Sequence, residues 1–261
     1  IRPELAQLKG LRTSMWVNET TYMRVMLPDL LPDHYQRALY LDSDVIVEAD
    51  LMRLWMHGVR DHVLLAVRDY FTPTVASPNS GLVSTYRSLG MEPSVPYFNA
   101  GIILLNLTTM RARRIAAATF AYLRAHHDSI KWWDQDGLNA VVAGEWGQLD
   151  LRWNVQVWAL RHFERSPDSQ FKREQRERIR HVGSDPYILH FTFRKPWRPG
   201  DITDLRYRPR FFRYLRRSGW FSRWEYARWF TGWLVSALAH SLSVLVGRMR
   251  DRLRPLVKPG N

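Results

Sequence analysis

The 261-residue sequence contains no cysteine. That excludes disulfide frameworks, Cys-ligated zinc, iron–sulfur clusters and thiol nucleophiles, and it permits a reducing compartment. Low-complexity runs and internal repeats are also missing, while 13% of the residues are aromatic and 12 are Trp, a composition suited to a folded core. No positively charged stretch leads into an apolar run at the start, and the first residue is Ile1, so a fragment or processed form is expected. Acidic residues are scarce in one region only. Residues 205–261 hold 2 acidic against 13 basic residues, whereas residues 1–204 hold 23 against 25. Of the formal charge of +13, +11 therefore belongs to the tail. A nucleic-acid reader usually spreads basic residues over a groove or reading helix of its folded domain, and residues 1–204 show neither a zinc finger nor a helix-turn-helix pattern. Nucleic acid is not an expected partner.

The length suits one α/β domain with an appendage. Residues 20–31 are mildly helical and end at Pro28 and Pro32. Arg37–Leu41 is a short aliphatic run leading into Asp42-Ser43-Asp44 and then Val45–Val47, which predicts a buried strand with carboxylates at its end. A short helix is expected over Ala49–Trp55 and a second buried strand over Val63–Val67. Residues 69–97, with four prolines, read as a long loop of the kind that is usually functional or mobile. Tyr97–Gly101 opens a third buried strand, Ile102–Leu107. Thr108 is the expected N-cap of a helix running to about His126, with Arg111, Arg113, Arg114 and Arg124 on its outer surface. Another helix is expected from near Asp134 to Gly144, with strand-like pieces at Trp146–Asp150 and Ile188–Thr192. Strands alternating with helices predict an α/β sheet covered on both faces.

Two carboxylates at i and i+2 where a strand stops project into one crevice, the place where open α/β sheets bind ligands. Asp42 and Asp44 so placed suit a hard divalent cation shared with substrate phosphates. A rival reading makes Asp42 the nucleophile of a haloacid-dehalogenase-type phosphatase, but no downstream acidic pair follows a later strand.

Four segments in order decide the matter: Arg37–Val47 with Asp42-Ser43-Asp44, Tyr97–Leu107 with Asn99-Ala100-Gly101, Asp134-Gln135-Asp136-Gly137-Leu138-Asn139, and Ile188-Leu189-His190-Phe191 with Lys195-Pro196-Trp197. Together they closely resemble glycosyltransferase family 8, over roughly residues 15–200. The resemblance implies a GT-A fold, a mixed sheet covered by helices, and retaining transfer of glucose or galactose from a UDP-sugar with Mn²⁺, or alternatively Mg²⁺. It implies Asp42, Asp44 and His190 as metal ligands. Arg24, Asp42, Ser43, Asp44, Asn99, Ala100, Gly101 and Lys195 are implied as donor-binding residues, with Asp134 and Gln135 as catalytic ones. Gly101 would let the backbone approach the sugar, and Lys195 would meet a phosphate as a point charge. Trp132, Trp133 and Trp197 are read as packing residues, with acceptor stacking as the alternative. Phe193 stands where the family commonly has glycine, three positions after the His. Only 41 residues precede Asp42, too few for the two βαβ units that would hold the base, so an N-terminally truncated domain over 1–204 is expected.

Residues 205–261 read as a basic, Trp-rich helical tail. Trp229–Gly247 has no Asp, Glu, Lys or Arg, but Thr231, Ser236, His240, Ser241 and Ser243 weaken it as a membrane span. An interfacial helix with Trp at headgroup level and Arg on anionic lipid fits better; a single span through 229–247 and packing on the domain are the alternatives. The expected whole is a cytoplasmic enzyme held on the inner face of a membrane, with a UDP-hexose donor and a saccharide or glycolipid acceptor such as lipopolysaccharide or another surface glycan. The alternative is a degenerate, non-catalytic member that only binds a membrane or protein partner.

Overall fold

A computed structural model describes residues 8–14, 19–59, 61–165, 170–179, 181–198 and 206–253. The chain divides into two units, Ile1–Val155 with Phe163–His190 and Gln156–His162 with Phe191–Asn261. Each is described by itself.

In the first unit, α1 (Met23–Leu30) follows a turn of 3-10 helix, and β1 (Arg37–Leu41) and β2 (Val45–Val47) flank the Asp42-Ser43-Asp44 turn. The strand expected to end at the carboxylates is β1, and Val45–Val47 beyond the turn forms a separate strand. Next come α2 (Leu51–Trp55), capped by the Asp50 side chain on Met52 N–H, then β3 (Leu64–Arg68) and β4 (Phe98–Asn106). Every residue of β4 is buried, as its apolar sequence demands. β1 and β3 pair with it antiparallel on either side, and the short β5 (Gly147–Gln148) runs parallel to β3, giving the order β1-β4-β3-β5. Strand β1 is only half-buried. A second sheet joins β2, β7 (Ile188–His190) and β6 (Val155–Gln156) in the order β2-β7-β6. The result is the expected mixed α/β fold.

The helix expected over 108–126 is two, α3 (Leu107–Ala112) and α4 (Ile115–Ala125), broken where Arg114 takes a left-handed φ of 53°. Its cap is Asn106, not Thr108: the Asn106 side chain accepts from Thr109 N–H at 3.1 Å. Arg111 does not simply face solvent either. Its guanidinium donates to the carbonyls of Pro28, Leu31 and Tyr35 at 2.7–2.9 Å, closing the C-terminal end of α1.

Helix α5 (Asp134–Val141) sits against β4 because Asn139 pairs with the Phe98 backbone as a neighbouring strand would, accepting from its N–H at 2.8 Å and donating to its C=O at 2.9 Å. Gly137 makes the α4–α5 approach possible, since a Cβ there would stand 2.8 Å from Leu123 and 2.9 Å from Thr119. The loop 69–97 is held in place rather than loose. Buried Asp136 accepts from Gly81 N–H, the Tyr97 hydroxyl, and the N–H groups of Lys131 and Trp132. Helices α6 (Val157–Arg165) and α7 (Gln170–Ile179) occupy much of the charged stretch around Phe163–Arg180.

In the second unit, α8 (Arg208–Arg217) and the 31-residue α9 (Arg223–Leu253) are joined by rings. Phe212 lies 4.8–5.7 Å from the rings of Trp229, Phe230 and Trp233, and Arg208 stacks over Trp233 at 4.6 Å. Trp233 is buried, but Trp220 and Trp224 are 82% and 87% exposed, and Leu234, Val235, Leu238, Leu242 and Val246 also face outward. Ser243 is exposed; the side chains of Ser236, His240 and Ser241 lie outside those described, as do residues 254–261. Among the described residues, no helix is long and apolar enough to cross a membrane.

Candidate active site

Two registers build the centre of the first unit. Leu41 pairs with Ile102, and Asp42 N–H donates to Gly101 C=O at 2.8 Å, so Asp42 is the last residue tied to the large sheet. Three residues later Val45 pairs with His190 in the small sheet. The Asp-Ser-Asp turn therefore spans the two sheets and meets His190 there. His190 Nε2 is 3.5 Å from Asp42 Oδ2 and 3.2 Å from Asp44 Oδ1, and one donor atom from each residue lies within 4.8 Å of the others. Two carboxylate oxygens and an imidazole nitrogen fit a hard or borderline divalent cation such as Mn²⁺. The ring presents Nε2 to them because Nδ1 faces the Asn154 side-chain oxygen at 2.9 Å. Gly101 leaves the room for this: a Cβ would stand 2.3 Å from His190 Cε1 and 2.9 Å from Asp42 Oδ2. The glycine that the resemblance assigns to sugar approach thus also makes space for the ligand cluster. Ser43 is exposed at the apex of the turn.

Arg24 organises the neighbouring charges. Its guanidinium meets Asp42 Oδ1 at 3.1 Å and Asp134 Oδ2 at 2.9 Å, donates to Ala100 C=O at 2.5 Å, and lies over the Tyr40 ring at 4.6 Å. Burial works against this cation, but the Asp134 and Asp42 carboxylates outweigh it and hold Arg24 charged. The Tyr40 hydroxyl donates to Asp42 Oδ1 at 2.8 Å. Asp134 is 2% exposed, and loss of water pushes its carboxyl up to about 7 against the pull of Arg24. Arg24 Nε–H is aimed at Thr21 C=O, so Asp134 Oδ2 has a charge contact without a hydrogen bond; Trp133 Nε1 is a second buried polar atom with no hydrogen-bond partner. Trp133 also takes a strained backbone, φ 50° and ψ −125°, at the residue before Asp134. Gln135 accepts from Ala100 N–H at 2.9 Å, which ties the start of α5 to the Asn-Ala-Gly segment.

Asn99 is buried and its amide is engaged within the protein, donating to Asp69 and accepting from Gly101 N–H and Asn154. Asp69 and Asn154 were not singled out from sequence. Asp69 carries the same signal as Asp42, a carboxylate just after an apolar strand, whereas nothing in the run around Asn154 marks it. The structure thus brings Arg24, Asp42, Asp44, Asn99, Ala100, Gly101, Asp134, Gln135 and His190 into one network. Lys195 belongs to the second unit, where its ammonium donates to Phe191 C=O at 2.7 Å. In that unit Phe193 takes φ 59° with its ring 4.6 Å from that of Trp158. Phe193 thus sits in the left-handed region that favours glycine.

Residues 4–200 match the profile of Glycosyl transferase family 8. General stress protein A of Bacillus subtilis is 27% identical over 211 residues, covering 79% of this chain and 68% of that protein. Glycosyltransferase GlyB of Streptococcus pneumoniae is 28% identical over 179 residues, 68% of this chain but 38% of that protein. Among solved structures, galactosyltransferase LgtC in complex with donor and acceptor sugar analogs superimposes with a TM-score of 0.57 at 26% identity, over 74% of this chain and 66% of that chain. Its fold and that of this chain are of the GT-A type.

Proposed function

Because the chain belongs to glycosyltransferase family 8, we propose that it transfers glucose or galactose from a UDP-sugar, with retention, to a saccharide or glycolipid of a cell-surface glycan such as lipopolysaccharide. The observation that carries this reading is the convergence of Asp42, Asp44 and His190 donor atoms within 4.8 Å in such a fold. A divalent metal, Mn²⁺ by preference and Mg²⁺ as the alternative, supplies when bound the neutralisation of charge on the departing diphosphate.

The chain's own residues do the rest. The Arg24 guanidinium holds the Asp134 and Asp42 carboxyl groups in place, so the donor meets a preorganised site. Asp134 orients sugar hydroxyls from its buried position, and Gln135, anchored on Ala100, faces the anomeric carbon as positive charge grows there. Asn99-Ala100-Gly101 gives the sugar a close backbone surface, Ser43 meets the donor from the turn, and Lys195 provides a cation for phosphate. Transfer runs on one face of the sugar. The bond from anomeric carbon to phosphate oxygen breaks as the acceptor oxygen bonds to that carbon, and the acceptor proton passes to the leaving phosphate.

Residues 205–261 hold the enzyme on the cytoplasmic face of a membrane. Support comes from the outward-facing Trp220, Trp224, Leu234, Val235, Leu238, Leu242 and Val246 beside the arginines of α8 and α9.

The test incubates the intact protein with UDP-glucose or UDP-galactose and saccharide acceptors, with and without Mn²⁺, and reads the anomeric configuration by NMR. Metal-dependent α-linked product is expected from these α-configured donors. Full activity in Asp42→Ala/Asp44→Ala protein, or in chelator, would contradict the reading.

A further inference from the structure

Four buried residues run in a line away from the ligand cluster, and the polarity of every link is dictated by chemistry. Asp69, immediately after β3, accepts on Oδ1 from Phe71 N–H at 2.8 Å and Thr72 N–H at 2.6 Å. Its other oxygen faces the Asn99 amide nitrogen at 3.0 Å. A carboxylate surrounded by three N–H donors only accepts, so Asn99 must turn its NH₂ toward Asp69. An independent group demands the same orientation: Gly101 N–H, which only donates, points at the Asn99 carbonyl oxygen from 3.0 Å. That oxygen also accepts from Asn154 Nδ2 at 2.8 Å. With its NH₂ spent there, Asn154 turns its own carbonyl oxygen to His190 Nδ1 at 2.9 Å. An oxygen at that distance requires the ring to carry its proton on Nδ1, which leaves the Nε2 lone pair on the side of Asp42 and Asp44.

We propose that Asp69, acting through Asn99 and Asn154, is a positioning residue that fixes the Nδ1–H tautomer of His190 and thereby keeps Nε2 available as a ligand. The inference rests on the reading of Asp42, Asp44 and His190 as a metal centre. A ring that donates through its second nitrogen is oriented and made more basic at the first. Here the donation is set by a carboxylate three side chains away. All four residues are buried, at 0–8% exposure, so no water supplies an easy substitute for a mismatched partner.

The decisive change is Asp69→Asn, which keeps shape and removes only polarity. The new Asn must still accept from Phe71 and Thr72 N–H, so its NH₂ faces the NH₂ of Asn99. Turning Asn99 and then Asn154 relieves that clash, at the loss of the bond from Gly101 N–H to Asn99, and presents an N–H to His190 Nδ1, driving the proton to Nε2. Long-range ¹H–¹⁵N spectra of the neutral ring in the metal-free intact protein, assigned against His190→Gln, read the tautomer directly. The wild type is expected to show Nδ1–H, and Asp69→Asn to show a shift to Nε2–H with Mn²⁺ affinity, by calorimetry, about 10–100-fold weaker.

Asn154→Asp retains an acceptor for Nδ1–H and is expected to keep the tautomer and stay within about 10-fold of wild-type Mn²⁺ affinity. Asn154→Leu is expected to lose both, which keeps the inference testable if Asp69→Asn folds poorly. An Nε2–H ring in the wild type, or an unchanged ring and affinity in both Asp69→Asn and Asn154→Leu, would overturn it. A tautomer shift in Asp69→Asn supports the relay even if the wild type binds no Mn²⁺, a result that would count against the metal reading alone.

Discussion

The ligand centre hides polar groups, and the tail helix displays apolar ones. Each arrangement reverses the usual partition of side chains between core and water. In the first unit, Arg24, Asp134, Asn99, Asn154 and His190 are withdrawn from solvent, and most of their polar atoms find partners of fixed direction. Burying such groups costs stability unless they are hydrogen-bonded or paired, and removing one partner of a buried ion pair such as Arg24–Asp134 costs about 3–5 kcal/mol. In the second unit, Trp220 and Trp224 lie in water while Trp229, Phe230 and Trp233 join Phe212 in a ring cluster. On the function proposed above, the contrast separates two tasks: chemistry needs rigid charges out of water, and attachment to a surface needs apolar groups left within reach of it.

The comparison breaks most severely if the ligand cluster is removed. Asp42→Ala/Asp44→Ala should lower kcat at least about 10³-fold, roughly 4 kcal/mol of transition-state stabilisation, while leaving association with anionic vesicles unchanged. Steady-state kinetics and vesicle sedimentation on the same protein check both halves. Gly101→Ala comes next. Its Cβ would collide with His190 and Asp42, so Mn²⁺ affinity should fall about 10–100-fold, with about 1–3 kcal/mol lost from stability by overpacking. Calorimetric metal titration and denaturant unfolding separate these two losses.

The tail is tested in the opposite sense. Trp220→Ser/Trp224→Ser should weaken partitioning onto anionic vesicles about 10-fold or more, at roughly 1.5–3 kcal/mol per apolar side chain withdrawn from water, and leave Mn²⁺ affinity untouched. Equal binding to neutral and anionic vesicles would remove the role assigned to the arginines.

A smaller effect sharpens the electrostatic half. The buried Asp134 carboxyl keeps its proton up to about 7, whereas an aspartate in the unfolded chain loses it near about 4. Between those values the native state binds the additional proton, so this group's contribution to stability falls as pH rises and is lost above about 7. Asp134→Asn abolishes the dependence. Its Tm relative to wild type, in metal-free protein, should climb by a few degrees between about pH 5 and pH 8. Parallel melting curves would deny that Asp134 is an unwilling anion.

Much of the fold and of the ligand cluster was legible because short motifs coincide with strand ends. Asp42 and Asp44 follow an apolar run, Gly101 interrupts another, and His190 closes a third. The sequence is less explicit where a side chain's partner is distant. Asn106 caps α3 in place of Thr108, and the break at Arg114 follows no helix-breaking residue. Arg111 looks like a surface charge until the carbonyls at the end of α1 arrive beside it. Asp69 carries a strand-end signal but no visible partner, and Asn154 carries no signal; the hydrogen bonds that link them through Asn99 form only once β3, β4 and the segment before β6 meet. Phe193 illustrates the reverse case, a departure in residue type visible in the sequence whose left-handed backbone is not.

The central claim, that Asp42, Asp44 and His190 form a divalent-metal centre serving a nucleotide-sugar, is tested most directly by Mn²⁺ electron paramagnetic resonance on the intact protein. Titration of the wild type should abolish the free-ion signal with a single Mn²⁺ bound, more tightly when UDP is added, and Asp42→Ala/Asp44→Ala protein should leave that signal at full height. A wild-type protein that leaves the free Mn²⁺ signal undiminished with and without UDP would contradict the account.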